Sequence, residues 1–291
     1  MISILIPVYN FDCTKLVNEL RTSCIFAKIN YEIILGNDAS TDDATNTALR
    51  RISELPDCRV VNEKENIGRA LICNKLSQLA AYPFLLFIDS DARVAKDDFI
   101  EKYLQSMIEH DVICGGIEVR EEDLGISNQL RYKYEHNATK TRALSYRKRH
   151  PYEKFSTFNL LIRRSVFDSI RFSERCFQYG YEDTVLGLDL MKRGIEVVHI
   201  DNPLIHTGID DNLSFLTKTQ QSLHVLKGLD AFYQENIRIS RTAFKLRRMH
   251  LLWLVKMWHR LFGAIEYKSL IKCPNLTIFN LYKLGYFCCI K

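Results

Sequence analysis

Phe84-Leu85-Leu86-Phe87-Ile88-Asp89-Ser90-Asp91 is an apolar run short enough for one buried strand, and it stops abruptly at two carboxylates. A strand apolar at every position is covered on both faces. Ligands of open α/β sheets collect beyond the carboxyl ends of such strands, where Asp89 and Asp91 stand. Hard cations such as Mg2+ and Mn2+ take oxygen ligands, and Mg2+ uses only one or two carboxylates while substrate phosphates supply more. The stretch therefore predicts a cation site beside a phosphorylated ligand. Taken alone, an Asp-x-Asp triplet is more often an acidic turn that closes a strand.

The flanking sequence repeats the pattern. Residues 2–8 form an apolar strand ending at Pro7-Val8-Tyr9-Asn10, followed by a helix to about residue 29. Tyr31-Glu32-Ile33-Ile34-Leu35-Gly36 stops at Asn37-Asp38-Ala39-Ser40-Thr41-Asp42-Asp43, whose side chains cap a following helix. A third strand near Arg59-Val60-Val61 leads into a helix from Arg69 to about Ala81. Strands alternating with helices imply parallel βαβ units, right-handed crossovers and one ligand-binding edge. Beyond the anchor strand the pattern predicts a helix near 97–109 and strands at 111–117 and 158–162. A helix then runs from Gly180-Tyr181-Glu182-Asp183 to Arg193, and apolar segments at 195–200 and 203–206 close the sheet. Between them, Arg120 to Lys154 is aromatic and basic, a partly helical excursion that either flanks a second substrate or forms a solvated face. A helix over about 213–235 ends the body.

At 291 residues the chain is long enough for one large domain with an appendage or for two small domains. Its nine cysteines are odd in number and form no Cys-x-x-Cys pair, which points to reduced thiols in a cytosolic protein. The first residues lack the basic and long apolar regions of a signal peptide. The longest uncharged stretch, Leu76 to Ile88, falls well short of the roughly 20 residues of a transmembrane helix. Charge is uneven. Arg238 to Lys291 holds 11 of the 40 Lys and Arg and one of the 35 acids, so this tail carries +10 and the rest −5. Read as one helix from Arg241 to Ile265, it gathers Arg241, Lys245, Arg248, Lys256, His259 and Arg260 on about a third of the surface, with apolar residues and both tryptophans over the rest. That suits attachment to a membrane surface; packing on the body or on a partner copy is the alternative. Lipid fits this face better than nucleic acid, for which a phosphate-tracking groove is expected. A dehydrogenase also opens with βαβ units, but Pro7-Val8-Tyr9-Asn10 stands where its Gly-x-Gly-x-x-Gly belongs.

Five segments in order carry a resemblance: Ile4-Leu5-Ile6-Pro7-Val8-Tyr9-Asn10, Asn37-Asp38-Ala39-Ser40-Thr41-Asp42, Asn66-Ile67-Gly68-Arg69 with Asn74, Asp89-Ser90-Asp91, and Tyr179-Gly180-Tyr181-Glu182-Asp183. Over about residues 1–208 the chain resembles the family 2 glycosyltransferases, which have a GT-A nucleotide-diphospho-sugar transferase fold. Five ordered matches are far more specific than any one of them. Asn37, Ala39 and Ala92 depart from the family's usual acid, glycine and acid. Phe155 to His206 is similar, more loosely, to the carboxyl half of the galactosyltransferase type.

The resemblance implies an α/β fold, a Rossmann-like mostly parallel sheet flanked by helices, with a helical basic carboxyl-terminal extension. Residues 1–110 would bind nucleotide-sugar, 111–208 would form the acceptor and catalytic half, and 209–291 the extension. Pro7 and Tyr9 would wall the nucleobase, unless they merely end a strand. Asp38 would accept from a base N–H, cap a helix, or do both. Asn66, Gly68 and Arg69 would surround the diphosphate, where a guanidinium and backbone N–H groups converge near a helix start; a surface arginine is the alternative. Asp89 and Ser90 would face ribose or sugar hydroxyls. Asp91, with Asp89 and His206, would hold Mn2+ or Mg2+, although a lone histidine is often structural. Asp183 would take the acceptor's proton as general base and Glu182 would orient the acceptor, unless both acids only cap their helix. The implied function is metal-dependent inverting transfer of a hexose or N-acetylhexosamine from a nucleotide-diphospho-sugar, with UDP the expected nucleotide. The acceptor would be a hydroxyl of a surface glycan or lipid-linked oligosaccharide, as in lipopolysaccharide or capsule assembly, at the inner face of the cytoplasmic membrane. Self-association through the carboxyl-terminal helices stays open. The rival is a non-catalytic membrane- or nucleic-acid-binding scaffold on a degenerate fold.

Overall fold

The computed structural model describes residues 1–120, 129–176 and 180–290. Part of the basic excursion, 121–128, and Tyr179 of the late motif lie outside the described residues. The chain divides into two units: 1–120, 140–176 and 182–208 form the first, and 129–139, 180–181 and 209–290 the second.

The first unit is built around a seven-stranded sheet whose strands lie in the order β3 (Cys58–Asn62), β2 (Tyr31–Asn37), β1 (Ile2–Val8), β4 (Phe84–Ile88), β8 (Asn159–Arg163), β6 (Val112–Cys114) and β9 (Val198–His199). β1 (Ile2–Val8), β2 (Tyr31–Asn37), β3 (Cys58–Asn62) and β4 (Phe84–Ile88) run parallel. The crossover helices α1 (Thr14–Phe26), α2 (Asp43–Ser53) and α3 (Arg69–Leu79) join them. β4 is buried at every residue. Its side chains alternate between two apolar layers, with Phe84, Leu86 and Ile88 in the core shared with α1 and α2. Phe87 points the other way, with its ring 4.9 Å from that of Phe167 and 5.8 Å from that of Phe172. Truncating a core aromatic of this kind to alanine costs about 3–5 kcal/mol. α2 begins where the sequence places a cap: the Asp42 side chain accepts from the Thr45 N–H at 2.8 Å. Its buried face is Ala48, Leu49 and Ile52.

Past β4 the topology changes direction. β5 (Ala92–Val94), α4 (Phe99–Ser106), β6 (Val112–Cys114) and β7 (Ile117–Glu118) come next, then the helices α5 (Leu130–Asn137), α6 (Thr139–Arg142) and α7 (Leu144–Arg149). β8 (Asn159–Arg163) runs antiparallel to both β4 and β6, with Asn159 opposite Ile88. After α8 (Arg164–Ile170) and α9 (Glu182–Lys192), β9 (Val198–His199) completes the main sheet. The segment expected to follow it there, 203–206, does not. β10 (Leu204–His206) is instead the middle strand of a small separate sheet, β5-β10-β7, with His206 opposite Ala92.

The second unit packs α5 with α10 (Asn212–Gly228) and the last two helices around Leu130, Phe215, Leu216, Leu270, Phe279 and Tyr282. Two sequence expectations fail here. The helix expected over 213–235 stops at Gly228, with Leu229 in extended geometry, and resumes as α11 (Ala231–Asn236). The single basic helix expected over 241–265 is two, α12 (Arg238–Arg248) and α13 (Leu252–Lys272), parted where His250 takes a φ of 57°. Asn275 caps the closing helix α14 (Leu276–Cys289), accepting from the Thr277 and Ile278 N–H groups at 2.8 and 3.2 Å. No helix among the described residues is long and apolar enough to cross a membrane. All nine cysteines are free. Burial pushes the thiols of Cys13, Cys73 and Cys114 up to about 12, so they serve as small core residues.

Candidate active site

The site lies at the carboxyl edge of the parallel strands. The Asp38 N–H donates to the Val8 carbonyl at 2.9 Å, which sets the ends of β1 and β2 side by side. Pro7 is the last residue of β1 but one, and Tyr9, half exposed, stands just beyond the strand. The buried Asp38 carboxylate accepts from the N–H groups of Ile67 and Gly68 at 2.7 and 2.9 Å, while Asn66 Nδ2 donates to its carbonyl at 3.2 Å. Burial raises the Asp38 carboxyl more than these two backbone donors lower it. Gly68 enters α3 with a φ of 85°, a conformation an L side chain resists. Asp38 thus ties the second loop to the Asn66–Arg69 turn, while the helix that follows its own loop is capped by Asp42.

Arg69, on the first turn of α3, faces inward. Its Nε donates to Asp89 Oδ1 at 2.9 Å, reinforced by Nη2, and its Nη1 lies 3.3 Å from Asp183 Oδ1. Nη2 also reaches the Thr157 carbonyl at 3.4 Å. A guanidinium has five N–H donors, and most of these are spent on protein. Asp89 and Asp183 hold Arg69 above its usual range against the opposing effect of burial. Burial in turn pushes the Asp89 carboxyl up to about 6, despite the neighbouring guanidinium. Asp183 is fixed further by the Ser156 hydroxyl at 3.1 Å, the Thr157 N–H at 3.0 Å and the Thr157 hydroxyl. Glu182 is buried beside it, and burial followed by the Asp183 charge raises its carboxyl.

Asp91 belongs to a different corner. Its Oδ2 lies 3.0 Å from His206 Nε2, and its carbonyl accepts from the Thr207 N–H at 2.9 Å and from the Thr207 hydroxyl at 2.7 Å. The β5-β10 pairing creates this contact, since His206 opposite Ala92 places its ring one residue from Asp91. Two cis ligands of an octahedral cation at about 2.1 Å are separated by about 3.0 Å, so Asp91 and His206 have the spacing to share one. A Cβ on Gly208 would stand 2.1 Å from Asp91 Oδ2, so a glycine keeps the space around that oxygen open. Asp89, the other expected ligand, has turned toward Arg69. No group of three or more His, Cys, Asp or Glu side chains poised for a metal occurs among the described residues. Two protein ligands fit Mg2+ or Mn2+ when phosphate oxygens complete the shell.

The family model described as glycosyl transferase family 2 matches residues 3–171. The chain belongs to glycosyltransferase family 2. Its fold is that of the family's GT-A enzymes. The mannosyltransferase PcManGT from Pyrobaculum calidifontis, solved in complex with GDP-Man and Mn2+, superposes with a TM-score of 0.58 at 14% identity, covering 98% of this chain and 85% of that one. S. aureus TarS 1-349 in complex with UDP-GlcNAc superposes with a TM-score of 0.55 at 16% identity, covering 98% and 90%. No curated protein matches the sequence significantly.

Within this family 2 fold the residues singled out in the sequence fall into three groups. Asp38, Asn66 and Gly68 form one loop pair; Arg69, Asp89, Glu182 and Asp183 form a charged cluster; Asp91 and His206 form a pair. Ser90 is the half-buried link between the last two groups. Ser156 and Thr157 were not anticipated, and nothing local in Phe155-Ser156-Thr157-Phe158 marks them. Arg147 belongs to the segment expected to form a basic excursion. Its guanidinium is in fact buried, donating to the carbonyls of Gly115 and Ile200 at 3.3 and 2.9 Å and packing under Gly116.

Proposed function

We propose that this family 2 glycosyltransferase carries out metal-dependent, inverting transfer of a hexose or N-acetylhexosamine from a UDP-sugar to a hydroxyl of a surface glycan or lipid-linked oligosaccharide. The observation that carries the reading is the chain Asp183–Arg69–Asp89, with contacts of 3.3 and 2.9 Å. It fixes a carboxylate beside the strand end where ligands of such sheets bind. Asp183 takes the proton of the acceptor hydroxyl. Two carboxylate oxygens offer about four lone-pair sites, and four donors already address them. The acceptor therefore takes the place of the Ser156 hydroxyl, whose oxygen keeps a second contact with the Phe158 N–H at 3.3 Å. Asp91 and His206 would hold the cation, which would supply positive charge to a departing nucleoside diphosphate. Tyr9 and Pro7 flank the base, and Asp38 shapes the turn that passes the diphosphate. Burial, and after it the neighbouring Asp183 charge, raises the Glu182 carboxyl to about 7.

The bound nucleotide-sugars of the structural neighbours support the donor class. A single fixed carboxylate, Asp183, at the strand end suits a one-step displacement, which inverts the anomeric centre. The test is Asp183→Asn. Donor affinity in calorimetry should persist while transfer is lost, and the wild-type product should show the opposite anomeric configuration to the donor by NMR. A fully active variant, or retained configuration, overturns the base assignment.

A further inference from the structure

The break at His250 changes what the basic extension presents to solvent. On α13, Trp253, Leu254, Met257, Trp258, Leu261 and Ile265 are all exposed, Trp253 at 60% and Leu261 and Ile265 at 63%. At about 100° per residue they occupy one half of the helix, and the opposite half buries Gly263, Glu266 and Leu270. From Trp253 to Ile265 the stripe is about 18 Å long. Soluble monomers rarely leave so many large apolar side chains side by side. Trp258 is oriented for such a face. Its Nε1 donates inward to Glu266 Oε1 at 2.8 Å and its ring packs on Phe262 at 4.4 Å, so the polar end is satisfied and the apolar body faces out. Exposed Arg260 and Lys268 fall at the edge of the stripe and within its far end, and α12 exposes Arg241, Lys245, Arg247 and Arg248 on the same unit.

We infer that α13 lies in the plane of an anionic lipid bilayer, its apolar half inserted between headgroups and its cations on their phosphates. Charge decides between occupants. Within the stretch that carries +10, only Glu266 is acidic and it is buried, so a second copy would set two strongly positive surfaces together. An anionic surface is instead attracted to each lysine and arginine, and the tryptophans suit the headgroup boundary. The inference does not depend on which donor or acceptor the first unit takes.

The chain's two tryptophans are both on this face, so their emission reports its environment directly. The full-length protein is mixed with phosphatidylglycerol-containing vesicles and, separately, with phosphatidylcholine vesicles, at low and high salt. Emission should shift to the blue and the protein should co-sediment with the anionic vesicles only, with binding falling as salt rises. Trp253→Glu with Leu261→Glu, both at exposed positions, should abolish sedimentation while far-UV dichroism and melting stay unchanged. Arg260→Gln with Lys268→Gln should weaken binding about 25-fold. An absence of vesicle binding overturns the proposal, as does equal binding to neutral vesicles. So does a concentration-dependent dimer in analytical ultracentrifugation that the Glu substitutions dissolve, which would give the face to a second copy.

Discussion

Replacing Arg69 with methionine tests the central electrostatic claim. Arg69 contacts one oxygen of Asp89 through two nitrogens, Nε at 2.9 Å, and reaches Asp183 at 3.3 Å. Methionine fills much of the volume but leaves two carboxylates facing each other with no cation. Removing one partner of a buried ion pair costs about 3–5 kcal/mol. The side chains of Arg69, Asp89 and Asp183 are 19%, 28% and 30% exposed, so residual solvation places the cost near the lower end, about 3 kcal/mol. The cost depends on pH in a defined direction. Arg69 lowers the Asp89 carboxyl, which even so stands near 6, and it also lowers Glu182. Without it both rise further. A group whose folded pKa lies above its unfolded one loses stability as pH rises through the folded value. The variant's deficit should therefore be full at pH 8 and shrink toward pH 5, where the carboxyls are protonated and no longer need a cation. Urea unfolding at pH 5, 6.5 and 8 in the presence of a chelator measures it. A deficit below about 1 kcal/mol at pH 8, the range of an exposed pair, or one that is the same at all three values, refutes the argument.

Gly208→Ala, like Asp91→Asn, should abolish the Mn2+-dependent tightening of UDP binding in calorimetry, because the new methyl would sit 2.1 Å from Asp91 Oδ2; undiminished metal dependence removes this corner from the site. Glu182 is raised by burial and by Asp183, to about 7, so the wild type should lose stability as pH climbs from the ordinary carboxyl range through that value. Glu182→Gln cannot titrate and should show a flatter melting profile over the same span; identical slopes would rule the contribution out. Asn275→Ala deletes the side chain that accepts from two N–H groups at the start of α14 and should cost about 1 kcal/mol in urea unfolding. No change there would mean that water caps the helix equally well.

The parallel half of the sheet is legible because burial on both faces leaves a residue-level trace. β4 has no polar position, and the carboxylates begin where the strand ends. Loop polarity and Asp42 mark α2 in the same way. What periodicity does not encode is a break without a breaker. Nothing from Arg248 to Leu252 is glycine or proline, yet His250 takes a left-handed turn and splits the expected helix. The stripe of cations drawn across that break therefore does not exist on one surface, whereas the apolar face confined to 253–265 does. Likewise 203–206 has strand composition, which predicts pairing but not the sheet it joins.

Asp91, Asp183 and His206 were nameable because each ends or begins an element, and Arg69 because it opens a helix beside a glycine. The role expected for Arg69 is a phosphate contact; in the structure most of its donors go to Asp89, Asp183 and Thr157. Ser156 and Thr157 were invisible for a geometric reason. In a parallel sheet only the residues that follow a strand reach the carboxyl edge. β8 runs the other way, with Asn159 opposite Ile88, so the residues that precede it arrive at that edge. Strand direction, which no pattern of side chains records, is what delivers the Thr157 N–H and the two hydroxyls to Asp183. The one reversed strand beside β4 is thus what allows a carboxylate from α9 to be pinned next to the Asp-x-Asp strand end, and an all-parallel sheet of the same composition would leave Asp183 without those donors.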